Sequence, residues 1–188
     1  MAIAAVRAAV PSDVEEIVRI QSGTWESAYT AFVPAEALDA LRGPQARQAW
    51  AAAVDSGRVF VAEEGEWAVG FCAAALAAAP EGSPEATAAP AAPTLGPEAW
   101  GEVGALLVEP RWGRRGHGGR LLAAAADALR GAGAIYGLAW LPEPDEASRR
   151  FYARAGWETD GAVRALDTGA GTLREIRVTG SLDLRLQD

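Results

Sequence analysis

The sequence contains no lysine, because each of its 17 basic residues is an arginine. Without lysine the chain can form neither a Walker-type phosphate loop nor a Schiff base. It has one histidine, His117, and one cysteine, Cys72, so a zinc site built from several His and Cys ligands and an internal disulfide bond are both excluded. We interpret Cys72 as a small buried residue, and we expect no metal.

Acidic residues outnumber basic residues by 25 to 17, so the chain has a formal net charge of -8 at pH 7. Nucleic acids and anionic membranes attract cationic surfaces, so neither is an expected partner, whereas a cationic amine is. No apolar run approaches the roughly 20 residues of a membrane helix. The N-terminal stretch MAIAAVRAAVPSD has an arginine inside its apolar run, which argues against a secretory signal, and we expect a cytoplasmic protein.

The length of 188 residues and the hydrophobic fraction of 50% predict a single domain spanning residues 1–188. Within it, residues 77–99 consist mainly of Ala, Pro, Gly, Ser, Thr and Glu, with Leu95 as the only large aliphatic residue. This composition predicts a flexible inserted loop. A passive insertion is the favoured interpretation, and a lid over a functional site is the alternative.

The first part of the chain alternates between strand and helix signals. Residues 3–8 predict a strand, and apolar residues at helical spacing after Pro11 predict a helix. A turn is expected at Gly23, and a second helical stretch is expected from Pro34, divided at Gly43. Residues 59–63 and 67–76 then predict an antiparallel hairpin.

The second part predicts a parallel βαβ unit, because a strand, a glycine-rich turn, a helix and a strand follow one another. Asp145 is a predicted cap of a further short helix. Strands are predicted at residues 103–108, 135–141, 157–166 and 173–184. The fold class is therefore mixed α/β.

Residues 114–119, Arg-Arg-Gly-His-Gly-Gly, are called the glycine turn below. Glycines at the start of a helix let an anionic phosphate approach the backbone N–H groups, and the arginines add positive charge. A dinucleotide-binding pattern would need Gly or Ala where Leu121 stands. The glycine turn therefore predicts a phosphate site of another kind.

Two motifs resemble those of the GCN5-related N-acetyltransferase (GNAT) family. The stretch VEPRWGRRGHGGRLL resembles the Arg/Gln-x-x-Gly-x-Gly/Ala motif of that family, and DEASRRFYARAGW resembles its second motif. The N-terminal TWESAYTAFVPAEALDAL resembles a subgroup. Two positions depart from the pattern: Gly113 replaces the leading Arg or Gln, and Asp145 replaces an Asn.

The resemblance implies a mostly antiparallel seven-stranded sheet with a central parallel βαβ unit. It also implies acetyl-CoA as co-substrate, with backbone groups near Leu106, Leu107 and Val108 binding the pantetheine arm, and the amide of Leu107 or Val108 polarising the thioester carbonyl. The remaining implied cofactor-binding residues are Arg114, Arg115, Gly116, His117, Gly118, Gly119, Asp145, Ser148 and Tyr152. Within the glycine turn, His117 is expected to point to solvent.

By the same resemblance, Glu102 is the first candidate for the base that deprotonates the acceptor, and Tyr152 is expected to face the departing CoA sulfur. Glu26 is a second candidate base. Trp25, Glu26 and Tyr29 are expected to bind the acceptor, although aromatic residues at helical spacing are as often core residues.

The favoured function is acetyl transfer from acetyl-CoA to a primary amine of a small molecule or peptide. Two alternatives stay open. One is a non-catalytic acyl-CoA-binding or sensing domain, which the departures at Gly113 and Asp145 suggest. The other is an O-acyltransferase. The resemblance also leaves room for a homodimer.

Overall fold

The structure is a computed structural model that describes residues 4–31, 33–78, 100–168 and 171–184. The strands are β1 (Ala4–Ala8), β2 (Val59–Glu64), β3 (Trp67–Ala77), β4 (Trp100–Val108), β5 (Tyr136–Pro142), β6 (Glu158–Asp167) and β7 (Thr172–Ser181), and the helices are α1 (Val14–Tyr29), α2 (Ala35–Ala40), α3 (Pro44–Asp55), α4 (His117–Gly131) and α5 (Glu146–Arg154). In the described parts of the chain, no helix is both long and apolar enough to span a membrane.

The strands form one seven-stranded sheet in the order β1-β2-β3-β4-β5-β7-β6. Neighbouring strands are antiparallel except β4 and β5, which are parallel and are connected through α4. Two consecutive parallel strands in one sheet need a crossover connection, and α4 supplies it. The predicted mixed fold with a central parallel βαβ unit is confirmed.

The two faces of the sheet are covered by different helices. Helices α4 and α5 pack on one face, where α4 buries an apolar stripe of Leu121, Leu122, Ala125, Ala126 and Leu129. Helices α1 and α3 contribute to the core on the other face, together with residues of β2, β3 and β4. The alanines of α4 let the helix lie close to the strands.

Several predicted boundaries need correction. The strand predicted at residues 173–184 ends at Ser181, because its pairing with β5 ends at Tyr136, where β5 begins. Helix α1 continues through Gly23, where a turn was predicted, because apolar residues on both sides of Gly23 continue one buried helix face. Strand β3 extends to Ala77, and β4 begins at Trp100 rather than at residue 103, because both extensions pair with each other. The loop predicted at 77–99 therefore loses its first residue to β3, and its segment 79–99 lies outside the described residues. The predicted division at Gly43 is confirmed.

Candidate active site

Strands β4 and β5 separate after a short parallel contact. Their pairing covers only Trp100–Tyr136, Gly101–Gly137 and Glu102–Leu138, although β4 continues to Val108 and remains paired with β3 there. Residues 103–108 of β4 and 139–142 of β5 thus border an opening in the sheet, called the gap below. A β4 edge without a partner strand exposes backbone N–H and C=O groups that an extended ligand can bind.

The hydrogen bonds to β3 show which backbone groups face the gap. The Glu109 N–H donates to the Val69 carbonyl at 2.9 Å, so the backbone groups of Glu109 point to β3. Because this direction alternates along an antiparallel strand, Leu107 also points to β3, whereas Leu106 and Val108 point into the gap. Of the two amides suggested for the thioester carbonyl, only that of Val108 faces the gap.

A β-bulge at Gly104 changes which side chains of β4 face each helix layer. The register passes from Ala73–Ala105 to Ala74–Val103, which leaves Gly104 without a partner on β3. As a result Val103 packs on the α4 side, while Ala105 packs on the α1 side. A bulge places two consecutive residues opposite one and so reverses the alternation of faces.

Glu102 stands at the apex of the gap, because it belongs to the last paired position of β4 and β5. A Cβ atom on the preceding Gly101 would lie 2.5 Å from Leu129 Cδ1, so Gly101 faces α4. Successive strand residues point to opposite faces, and the half-buried Glu102 side chain therefore stands on the α1 side.

Tyr152 belongs to the opposite face. It is 3% exposed in the core beneath α4 and α5, with its ring centroid 5.2 Å from those of Phe151 and Trp157. Burial raises the pKa of Tyr152 well above its usual value, with a smaller contribution from Cys72, which is itself fully buried. The phenol is therefore a proton donor in hydrogen bonds rather than a phenolate.

The glycine turn connects β4 to α4 in a backbone conformation that favours glycine. Gly116 is the N-cap residue of α4 with φ of +82°, and Arg114 has φ of +62°. A Cβ atom on Gly118 would lie 3.1 Å from the Phe151 ring, whereas one on Gly119 would meet nothing within 4 Å. Gly118 therefore allows close packing on α5, and Gly119 leaves the first turn of α4 open on one side.

The expectation that His117 points to solvent is wrong. His117 is 1% exposed, and its Nε2 atom lies 2.8 Å from a carboxylate oxygen of Glu64 at the end of β2. As the first residue of α4, it faces the sheet, and Glu64 supplies an acceptor there. The other Glu64 oxygen accepts from Arg115 at 2.7 Å. Sequence reasoning missed Glu64, whose only signal is a carboxylate at a strand end.

Asp145 connects a predicted cofactor residue with a predicted acceptor residue. Its carboxylate accepts hydrogen bonds from the Ser148 N–H at 2.9 Å, from the Ser148 hydroxyl at 2.8 Å and from the Tyr29 hydroxyl at 2.6 Å. Tyr29 is buried, and burial together with Asp145 raises its pKa. Asp145 thus caps α5 and joins α5 to the end of α1.

The other predicted acceptor residues lie on α1. The Trp25 ring contacts Tyr29 edge to face, with centroids 5.1 Å apart. Glu26 forms a salt bridge of 2.5 Å with Arg42. This salt bridge occupies the Glu26 carboxylate, which would have to accept a proton if Glu26 were the base. Glu102 has no such cationic partner among the described residues, and this difference favours Glu102 as the base.

A charged cluster that the sequence did not reveal lies on the Glu102 face of β5, β6 and β7. The guanidinium groups of Arg164 and Arg177 lie 4.5 Å and 5.4 Å from the Trp140 ring centre. Both arginines are paired, with Glu175 at 2.6 Å and Asp160 at 2.7 Å. The only sign of this cluster in the sequence is that charged residues alternate with apolar ones along the strands. Which charged residues form pairs depends on the register of β7 with β5 and β6.

In the part of the chain that the structure describes, no group of three or more His, Cys, Asp or Glu side chains could hold a metal ion. The residues instead combine an open helix start, an unpaired strand edge, a phenol on one face and a carboxylate on the other. This arrangement suits an extended anionic ligand that enters the gap from the α4 side and a second molecule that enters from the α1 side.

Residues 17–157 match the model of the acetyltransferase (GNAT) family. The PaiA N-acetyltransferase of Thermoplasma acidophilum, solved in complex with coenzyme A, is similar with a TM-score of 0.72 at 13% identity, over 95% of this chain and 99% of that one. Salmonella typhimurium YncA, solved with its cofactor acetyl-CoA, is similar with a TM-score of 0.67 at 20% identity, over 96% and 94%. An N-acetyltransferase from Staphylococcus aureus Mu50 gives 0.66 at 17% identity, over 96% and 99%. No curated protein matches the sequence.

Proposed function

The chain belongs to the acetyltransferase (GNAT) family, and we propose that it is an N-acetyltransferase that transfers the acetyl group of acetyl-CoA to a primary amine of a small molecule or peptide. The gap between β4 and β5 carries this proposal, because it opens the sheet between Glu102 on one face and Tyr152 on the other. A donor and an acceptor that enter from opposite faces can meet in this gap.

The donor site is formed by the glycine turn and the edge of β4. The first N–H groups of α4 have no side-chain cap, so they can bind the CoA diphosphate, and the arginines of the turn add positive charge. The backbone groups of Leu106 and Val108 can bind the pantetheine arm as a neighbouring strand would. The Val108 N–H then polarises the thioester carbonyl.

Glu102 acts on the acceptor, which approaches from the α1 side. A primary alkylamine is almost entirely protonated at neutral pH, and only its neutral form can attack the thioester carbon. Glu102 accepts the proton, directly or through water. The amine nitrogen then forms the new C–N bond, and the C–S bond breaks to release the CoA thiolate. The nitrogen, which is positively charged once the C–N bond has formed, loses its second proton to the thiolate, directly or through water, so that the products are the amide and CoA thiol.

Tyr152 acts on the leaving group from the α4 and α5 side. Its raised pKa keeps the phenol protonated, so the hydroxyl donates a hydrogen bond to the thiolate as the C–S bond breaks. Stabilisation by this hydrogen bond is favoured over complete proton transfer, because a phenol is a weaker acid than a thiol.

The test is an assay for thiol release with acetyl-CoA and a panel of primary amines. We expect amine-dependent thiol release in the wild-type protein. Replacing Glu102 by Gln should lower kcat/KM by about 100-fold, as expected for loss of a general base. Replacing Glu26 by Gln is the matched control, and an equal loss there would move the role of base to Glu26.

The second candidate function is a non-catalytic acyl-CoA-binding or sensing domain. The observation in its favour is that Asp145, which replaces the family Asn, is occupied by Tyr29 and Ser148. Binding of CoA without turnover of any amine or hydroxyl acceptor would support this alternative. Turnover of hydroxyl acceptors alone would instead indicate an O-acyltransferase.

The proposal extends to a single domain over residues 1–188, a cytoplasmic location and a homodimer. Limited proteolysis, cell fractionation and analytical ultracentrifugation test these three points independently of the catalytic assay.

A further inference from the structure

Glu64, the last residue of β2, contacts two residues of the glycine turn from outside that turn. One carboxylate oxygen accepts from Arg115 at 2.7 Å, and the other lies 2.8 Å from His117 Nε2. The two contacts span more than 50 positions of sequence. A single side chain thereby fixes the residues on both sides of Gly116.

The contact with His117 is buried and leaves little freedom to the ring. Arg115 and His117 both lower the pKa of Glu64, with His117 the largest cause, so the carboxylate is ionised at neutral pH and can only accept hydrogen bonds. Because the carboxylate can only accept, the Nε2 atom of His117 donates this hydrogen bond. The opposite atom, Nδ1, is buried and has no hydrogen bond to any described residue. Without Glu64, the buried ring would lose its one hydrogen-bonding partner in this part of the structure.

The contact with Arg115 fixes the outer side of the turn. The Arg115 guanidinium lies 4.9 Å from the centre of the Trp112 ring and also forms the 2.7 Å salt bridge with Glu64. The Arg115 carbonyl also accepts from the Arg120 side chain at 3.2 Å. Contacts therefore fix both the side chain and the carbonyl of Arg115. Together with the His117 contact, they restrict the backbone on both sides of Gly116.

We propose that Glu64 is a positioning residue that holds the glycine turn in the conformation that binds the CoA diphosphate. This inference rests on the proposed function. Glu64 itself carries negative charge and so does not bind the diphosphate. It acts through His117 and Arg115, which keep the N–H groups at the start of α4 directed outward.

The experiment compares Glu64→Gln with the wild-type protein, using CoA in titration calorimetry and both acetyl-CoA and S-acetylpantetheine as acetyl donors. S-acetylpantetheine lacks the diphosphate and the nucleotide of acetyl-CoA, so it does not use the glycine turn but still reports on the sites of the thioester and the acceptor. We expect a roughly tenfold rise in the Kd for CoA and in the KM for acetyl-CoA, as for loss of a charge-assisted hydrogen bond. The kcat/KM for S-acetylpantetheine should change less than about twofold, because a positioning contact affects only the groups it positions.

Glu63→Gln is the matched control, because Glu63 precedes Glu64 on β2 but pairs with Arg7. Glu64→Asp is a second variant in case Glu64→Gln folds poorly, and it should give an intermediate loss because the shorter side chain cannot reach both partners. Unchanged or tighter CoA binding in folded Glu64 variants would overturn the proposal, as would an equal loss with S-acetylpantetheine. Failure of the wild-type protein to bind CoA would instead refute the proposed function.

Discussion

Helices α4 and α5 lie on the same face of the sheet, yet their first turns satisfy their backbone N–H groups in different ways. The start of α5 is capped by Asp145, which accepts from the Ser148 N–H at 2.9 Å. The start of α4 follows Gly116 and has no side-chain cap. Since a helix start carries partial positive charge, the comparison indicates that α4 offers its first turn to an external anion, whereas α5 is already satisfied internally.

The largest effect is expected when the start of α4 is made to resemble that of α5. Gly116→Asp introduces a carboxylate at a position where the left-handed conformation is required, which Asp tolerates. The new charge competes with the diphosphate, so the Kd for CoA should rise about 100-fold in titration calorimetry. Gly116→Asn keeps the shape without the charge, and an equally large loss there would mean that the backbone matters rather than the charge.

The reverse change removes the internal cap of α5. Asp145→Ala eliminates the bonds to Ser148 and Tyr29, so the free energy of unfolding should fall by about 2 kcal/mol in urea denaturation. Asp145→Asn keeps an acceptor and should lose less than about 1 kcal/mol. If Asp145→Ala left stability intact but weakened CoA binding as strongly as Gly116→Asp, the contrast between the two helix starts would be invalid.

A third change separates binding by α4 from catalysis by α5. Tyr152→Phe removes only the hydroxyl, so kcat should fall about tenfold, or about 1.4 kcal/mol, from loss of one hydrogen bond to the leaving group. The Kd for CoA measured by calorimetry should stay the same. Tyr136→Phe, on β5, serves as control with unchanged kcat. A weaker CoA affinity without a change in kcat would assign Tyr152 to binding.

The smallest effect concerns the carboxylate that supports α4 from a distance. The pKa of Glu64 is lowered in the folded protein, so its contribution to stability is complete above its usual pKa and is lost as the pH falls through the lower folded value. Thermal melts should therefore show Glu64→Gln less stable than wild type at pH 7. The difference should shrink in acid. A constant difference from pH 7 to pH 3 would exclude this linkage.

Features that depend on residues close together in the sequence were predicted correctly. The division of the second helical stretch at Gly43, the hairpin of β2 and β3, and the cap at Asp145 are all confirmed. Each follows from local backbone chemistry or from the period of apolar residues. The predicted start of β4 at residue 103 was wrong, because Trp100 and Gly101 become strand residues only by pairing with β3 and β5.

The contacts made by the residues of the candidate site could not be predicted from the sequence. His117 was expected at the surface, because a histidine between glycines at a turn gives no local sign of a buried partner. Its partner Glu64 is brought to it by the packing of α4 against β2. The distinction between Leu107 and Val108 likewise required the hydrogen bonds of Glu109 to β3.

The sequence by itself determined the order of elements, the glycine turn and the motifs that identify the family, since these depend on residue types and their spacing along the chain. The tertiary structure decided that β4 and β5 separate after Glu102, that Glu102 and Tyr152 lie on opposite faces, and that Glu64 reaches the glycine turn. The physical reason is that strand register and helix packing arise from contacts between distant residues, which no local preference specifies.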